Sequence, residues 1–396
     1  MNRKVKWIQI LLFCLSYLFL TGCWDYKDVE DLHMIIGQSI DLAEPIEQEK
    51  DMIHRDWLQL TVQSVKPKGL SGQQNAGATM QKPYENLTSI GNSAIQTFNN
   101  IYSKTEHPFL SYHLKAVVLG EKLVKKVNMQ KLLIEYSRAP EIRGSLLVFI
   151  GKGKAKDILE ASNPTEVPII KLIGLSQNHS VSTRIPPEMN LTQVEAKLAS
   201  QSNLLLQTVE AKNKRMIIAN GAIINGKTGK LVGFLNRKEI EGLNWLTSRA
   251  EVGVVKAIDT EKNKIVGYYF KNAKSKIRPH IQGDKVSFDV NIESNGSLEE
   301  DWFIPGDAFD NKFLHHAERL IEKQIKYIVM KTIHKLQKDY HTDVAGFGEQ
   351  LRIEYPKEWK KMKSNWDQHF SQAPIKVNVK ITITDYETKG TKMKKK

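Results

Sequence analysis

The sequence predicts an α+β chain of more than one domain. Three observations carry the prediction: a length of 396 residues, strands and helices that alternate through the first half, and a second half in which strands gather ahead of one long helix. The first half reads as a mixed α/β region. The second reads as an antiparallel sheet covered by a long helix. With 41% hydrophobic residues the chain can bury real cores, and only 2 cysteines, Cys14 and Cys23, exclude a disulfide framework or a four-cysteine zinc site. The negative mean hydropathy excludes a polytopic membrane protein.

Residues 1–22 come first. Arg3, Lys4 and Lys6 form a basic head, and Ile8 to Leu20 form a thirteen-residue apolar run. That is shorter than the ~20 residues of a spanning helix and within the ~7–15 of an export signal. Leu20-Thr21-Gly22-Cys23 closes the run and resembles the bacterial lipobox, in which cleavage leaves a diacylglycerol-modified cysteine at the mature N-terminus. Small Thr21 and Gly22 let a peptidase reach the backbone, and the Cys23 thiol is the nucleophile for the lipid donor. Cleavage would remove Cys14 and lipidation would consume Cys23, which leaves no free thiol.

Val29, Leu32, Ile35 and Ile36 keep helical spacing, so a short helix is expected to pass into a strand toward Asp41. Trp57–Val65 alternates Leu58, Leu60 and Val62 with Gln59, Thr61 and Gln63, the period of a half-buried strand. Residues 66–83 read as a long loop. Leu87, Ile90, Ala94, Ile95, Phe98 and Ile101 predict one amphipathic helix over Asn86–Tyr102. A strand at Leu114–Leu119, a helix at Glu121–Tyr136, a strand at Gly144–Ile150 and a helix at Ala155–Ala161 follow. The prolines of Asn163–Asn190 predict irregular chain, and Leu191–Gln201 a short helix.

The second half begins with a hairpin, Met216–Ile224 and Leu231–Leu235, around Asn225-Gly226-Lys227-Thr228-Gly229. Strands are expected at Val252–Ile258, Lys264–Phe270 and around Val286, Phe288, Val290 and Ile292. A long helix is expected over Phe309–Tyr340 and a last strand from Ile375 to Ile383, whose apolar residues alternate with Lys376, Asn378, Lys380, Thr382 and Thr384. The boundaries are therefore a leader at 1–22, an N-terminal region at 23–200, a C-terminal domain at 214–388 and a basic tail at 389–396.

Charge excludes one class. Of the net +14, three charges lie in the leader, and Lys389, Lys392, Lys394, Lys395 and Lys396 lie in the tail. The body is too weakly basic for a nucleic-acid stripe. Gly151-Lys152-Gly153-Lys154 lacks the Lys-Ser/Thr pair of a phosphate loop and reads as a turn. The adjacent His315 and His316 diverge by about 100° on a helix and cannot share a metal facially. No Gly-x-Ser-x-Gly or His-Glu-x-x-His motif occurs. No cofactor, metal or catalytic constellation is expected.

Several ordered motifs resemble the Ger(x)C family of spore germination lipoproteins, the C subunits of nutrient germinant receptors in endospore-forming bacteria. They are Cys23-Trp24-Asp25-Tyr26, His113-Leu114-Lys115-Ala116-Val117-Val118-Leu119-Gly120-Glu121, and Arg138-Ala139-Pro140-Glu141-Ile142-Arg143. Further on come Gly242-Leu243-Asn244-Trp245, Asp343-Val344-Ala345-Gly346-Phe347-Gly348-Glu349, Tyr355-Pro356-Lys357-Glu358-Trp359 and Asn365-Trp366. The Lys-rich end after Gly390 departs from the pattern. The resemblance implies a non-enzymatic subunit, lipid-anchored at the outer face of the spore inner membrane and assembled with two integral-membrane subunits. It also implies that the N-terminal region holds two domains. Whether this chain touches a nutrient stays open. A substrate-binding lipoprotein of an ABC transporter is the alternative.

The motif residues read first as structural. Pro356 suits the first turn of a helix on which Trp359 and Trp366, seven apart, share a face. Arg138 and Arg143 flank Glu141 as a local ion-pair cluster. Trp24, Trp245, Trp359 and Trp366 are the candidates for membrane or partner contact.

Overall fold

A computed structural model describes Trp7 and residues 33–44, 56–65, 82–106, 109–163, 165–260, 263–301 and 311–386. In chain order the first part contains β1 (His33–Ala43), β2 (Trp57–Val65), β3 (Tyr84–Gly91), α1 (Ala94–Tyr102), β4 (Phe109–Leu110) and β5 (Ala116–Gly120). Next come α2 (Glu121–Lys126), α3 (Met129–Arg138), β6 (Leu147–Gly151), α4 (Ala155–Ile158), α5 (Pro168–Ser176) and α6 (Leu191–Ala199). Then follow β7 (Leu204–Lys212), β8 (Arg215–Asn225) and β9 (Lys230–Leu235).

These strands form one sheet in the order β3-β2-β1-β5-β6-β7-β8-β9, with β4 beside β1. β1, β5, β6 and β7 run parallel, and antiparallel strands flank them. The central strands β5 and β6 are apolar on both faces because helices cover both faces. Val117, Leu119, Val148 and Ile150 enter one core with Ile101, Leu123, Leu133 and Val194. Their neighbours Val118 and Phe149 point the other way, into a second core with Ile158, Ile169 and Leu172. Period-2 geometry thus sorts consecutive residues of one strand into two cores.

Four expectations are corrected here. Leu87 and Ile90 belong to β3 and not to a helix beginning at Asn86, since β2 needs an edge partner and Thr61 and Thr88 join hydroxyls across it at 2.9 Å. The helix at Glu121–Tyr136 breaks at Val127-Asn128, where the Asn128 side chain accepts the Gln130 N–H and starts α3. The irregular stretch contains α5, because Pro168 at its first turn lacks only an N–H that had no helical partner. Leu204–Lys212, inside the expected boundary, is the strand β7. Ile35 and Ile36 lie in β1; the helical stretch expected before them lies outside the described residues, as do residues 66–81 of the expected loop.

The second part contains α7 (Arg237–Leu246), β10 (Gly253–Asp259), β11 (Lys264–Gln282), β12 (Lys285–Asp301) and α8 (Asn311–His334), which ends in a π turn at Lys335–Asp339. After it come α9 (Phe347–Glu354), α10 (Pro356–Met362), α11 (Trp366–Gln372) and β13 (Ile375–Tyr386). The sheet order is β10-β11-β12-β13. The long helix is present, and its Ala317, Ile321, Ile325, Val329 and Ile333 bury one stripe on the sheet.

The second sheet is not wholly antiparallel. β13 pairs parallel with β12, because the chain returns through four helices that carry it back to the starting end. β11 also continues twelve residues past Phe270. Pro279 is accommodated there because β10 ends at its Gly253–Phe270 pairing, leaving that side of β11 without a partner strand.

The hairpin β8–β9, expected with the second sheet, is hydrogen-bonded to β7 in the first. Alternation identifies which face of a strand is buried, not which strand lies beside it. The change of sheet falls between Leu235 and Gly253, at α7.

Candidate functional site

The lipidation group, Leu20, Thr21, Gly22 and Cys23, lies outside the described residues, together with Trp24 and Asp25. Among the described residues no helix is long and apolar enough to cross a membrane. The remaining motif residues fall at three places.

The first is α7. Asn236 caps it: its side chain accepts the Lys238 and Glu239 amides, and Glu239 reaches back to the Asn236 N–H. Every residue from Glu239 to Leu246 is buried, since the helix lies where the two sheets meet. Trp245 is fully enclosed and packs its ring 4.4 Å from Phe270 of β11. Among the described residues its Nε1 has no hydrogen-bond partner. Asn244 donates to the carbonyls of Thr183 and Ile185 at 2.9 and 3.1 Å, and buried Glu241 accepts from Arg184 Nε at 2.9 Å. On its other side Gly242 meets α8 so closely that a Cβ there would lie 2.3 Å from Thr332 Oγ1 and 2.8 Å from the Ile328 carbonyl. Gly242-Leu243-Asn244-Trp245 is therefore a joint, each residue facing a different neighbour.

The second place is the start of α9. The buried Asp343 carboxylate accepts the Ala345, Gly346 and Phe347 amides on Oδ1, at 3.0, 2.9 and 3.3 Å. Its Oδ2 accepts the Gly348 amide at 2.8 Å and the Trp366 indole N–H at 3.0 Å. Burial pushes this carboxyl above its usual range, and the Gly348, Trp366, Gly346 and Phe347 donors pull back against that. Gly346, at φ 87°, makes the left-handed turn, and a Cβ at Gly348 would meet the indole of Trp366 at 2.7 Å.

Pro356 opens α10 as expected. Trp359 and Trp366, however, are not on one helix. A 3₁₀ turn at Lys363–Asn365 separates α10 from α11, and the two rings meet edge to face at 5.3 Å across it. Trp366 is buried against Phe288 and Phe370, while Trp359 is half-buried. Trp245 and Trp366 are thus packed in the core of the second part.

The third place holds the Arg138–Arg143 motif. Arg138 ends α3 exposed, and no ion pair joins Arg138, Glu141 and Arg143. The expected cluster is absent: Arg138 at the end of α3 and Arg143 in the irregular chain beyond it are both exposed, where water solvates their charges. Arg143 instead lines a cleft of about 230 Å³ with Tyr112, His113, Lys115 and Ser145. A larger cleft, about 670 Å³, carries charges of both signs from Lys82, Lys214, Asp157 and Glu160.

The Gly-Lys-Gly-Lys turn has a structural use. Asp41, from the end of β1, accepts the Ala155 and Lys156 amides at 2.7 and 2.8 Å. A carboxylate of the chain itself fills the place an external anion would need. Burial pushes Asp41 above the usual carboxylate range, with the two amides opposing. Among the described residues no group of three or more His, Cys, Asp or Glu side chains could hold a metal. His316 pairs with Asp259 at 2.8 Å, and His315 with Glu318 at 2.9 Å.

Comparison with known proteins matches residues 25–211 to the spore germination protein N-terminal domain and residues 219–387 to the C-terminal domain described as spore germination B3/GerAC like. Spore germination protein YndF of Bacillus subtilis (strain 168) is 37% identical over 393 residues, which cover 96% of this chain and 97% of that protein. Spore germination protein B3 of the same organism is 29% identical, over 96% of this chain and 98% of that one. The crystal structure of the GerBC protein shares the fold, with a TM-score of 0.60 and 24% identity, covering 88% of this chain and 97% of that one. An α+β chain of this architecture, matched from end to end, defines a spore germination protein. The chain belongs to the Ger(x)C, or GerAC-like, family.

Proposed function

We propose that this chain is the lipid-tethered, non-enzymatic subunit of a nutrient germinant receptor at the outer face of the spore inner membrane. It acts with two integral-membrane subunits and is required for nutrient-triggered germination. The observation that supports this reading best is the 37% identity to Spore germination protein YndF over nearly the full length of both chains. Leu20-Thr21-Gly22-Cys23 supplies the tether, with Cys23 as the modified residue. Two acyl chains on one cysteine anchor stably where a single chain binds marginally, at about 0.8 kcal/mol per buried CH₂.

The mechanism this supports is positional. The tether turns assembly with the membrane subunits into a nearly intramolecular step. The joint at α7 and the knot at Asp343 then fix the body that those partners meet. Deleting the chain is expected to leave vegetative growth intact and to abolish germination by the nutrients of its cognate receptor, read as loss of spore refractility after single nutrients are added. Cys23→Ala is expected to weaken the same response. Normal germination with lost nutrient uptake in growing cells would overturn the reading and favour a transporter lipoprotein.

A further inference from the structure

One face of the second sheet is covered by α8, α9 and α7; the other is open to solvent. The inward set on β11 and β13 includes Ala273, Ile277, Val377 and Ile381. The alternate residues therefore point outward together. On β11 they are Lys274, Lys276 and Arg278, and on β13 they are Lys376 and Lys380, all exposed. The register aligns the rows. Lys274 and Lys380 both lie beside Glu293 of β12, and Arg278 and Lys376 both lie beside Asp289. Strands lie about 4.8 Å apart and alternate residues about 7 Å apart, so five cations occupy a field about 10 Å across and 14 Å long.

The field has few internal counter-charges. They are Asp289, engaged by His280 at 3.0 Å, and exposed Glu293, two acids against five cations, and none of the five cations is ion-paired among the described residues. Folding does not need the charges, because a neutral polar residue would serve the wet face as well. The five cations flank the Asp289–Glu293 stretch of β12, while the stretch of β12 beyond it carries exposed Glu299. Residues 387–396, which follow β13 in sequence and lie outside the described residues, contain five lysines and one glutamate and are not part of this field.

We infer that this half-face is a docking surface for an anionic phospholipid bilayer, and that it orients the C-terminal domain against the membrane. The inference rests on the lipid-tethered reading above and adds a second, protein-borne contact to it. Charge complementarity selects the occupant: a broad, shallow, unpaired cationic array without an apolar pocket suits a plane of anionic headgroups. Each cation beside such a surface contributes about a fivefold gain in partition, and salt screens it.

The test uses the full mature chain from residue 23 with Cys23→Ser, so that no acyl chain contributes. Binding is measured to vesicles of phosphatidylcholine alone and of phosphatidylcholine with about 30% phosphatidylglycerol, a composition chosen to give the vesicles a negative surface potential. Binding is expected only to the anionic vesicles and is expected to fall with added salt. Lys274→Gln/Lys276→Gln/Arg278→Gln should lower it by about a hundredfold. Removing residues 387–396 should leave a binding that the triple variant still reduces. The exposed set Lys357→Gln/Lys360→Gln/Lys361→Gln on α10 is the control, and unchanged thermal melts show that each variant folds.

Equal loss in the control, equal binding to neutral vesicles, or no binding at low salt would overturn the inference. So would binding that disappears with the tail alone. The anchor is read separately, by mass spectrometry of the N-terminus of the protein from spores. An unmodified Cys23 there would remove the tether and leave the vesicle result standing on its own.

Discussion

The two sheets solve the same burial problem in opposite ways. The parallel centre of the first is clothed by helices on both faces, so β5 (Ala116–Gly120) has no wet position. The second is clothed on one face only, and β13 alternates buried with exposed residues. The difference amounts to a division of labour: the doubly covered sheet has little freedom to vary its strands, while the open face of the other can carry charge without cost to the core.

The comparison breaks most sharply under an acidic scan. Val117→Asp and Val118→Asp should each destabilise the chain by about 4 kcal/mol or more, because the first points into one core and the second into the other. On β13, Ile381→Asp should be comparably severe, while adjacent Thr382→Asp should stay within about 0.5 kcal/mol. Chemical denaturation of the four variants reads this directly. A tolerated Val117→Asp or Val118→Asp would mean that one face of β5 is wet.

Legibility in the sequence divides along the same line. β13, with clean alternation, and α8, with a long helical stripe, are readable from period alone; β2 is readable as a strand but not as half-buried, since Thr61 and Gln63 are buried and Gln63 bonds the Leu159 carbonyl and the Ile169 amide. The direction of β13 is not, since parallel and antiparallel strands share a period of two and only the length of the helical return distinguishes them. β7 begins Leu204-Leu205-Leu206, a run without alternation that reads as a boundary. α5 is hidden because Pro168 reads as a breaker where it opens a helix.

The candidate residues divide similarly. Motifs are readable as local patterns, but their partners come from far along the chain. Gly242 needs Thr332 of α8 beside it before its lack of a side chain has a meaning. Asp41 acts on amides more than a hundred residues away, and no spacing rule points from one to the other.

Two buried carboxylates sharpen the contrast between the halves. Asp343 accepts five N–H groups and Asp41 two, so their removal should differ in proportion. Asp343→Ala leaves four amides and an indole without an acceptor in a closed core, and should cost about 3–5 kcal/mol. Asp343→Asn should cost less, about 1–3 kcal/mol, since an amide oxygen retains some of the donors while its NH₂ opposes the others. Equal stability of Asp343→Ala and wild type in urea would show that the knot at α9 is not held by this side chain.

Asp41→Asn should be the mildest of these changes, about 1 kcal/mol, because one of its two amides keeps an oxygen acceptor. Its value lies in the pH dependence. Burial holds the folded carboxyl above its unfolded value, so the folded state takes up the proton first as pH falls. The wild type should therefore gain stability relative to Asp41→Asn between neutral pH and about pH 4, with the gain complete below the unfolded pKa of about 3.9 and lost as pH rises through the folded one. Paired thermal melts across that range measure it. A difference that moved the other way, against the wild type on acidification, would mean that the Ala155 and Lys156 amides outweigh burial and that Asp41 is held as a stable anion at the start of α4.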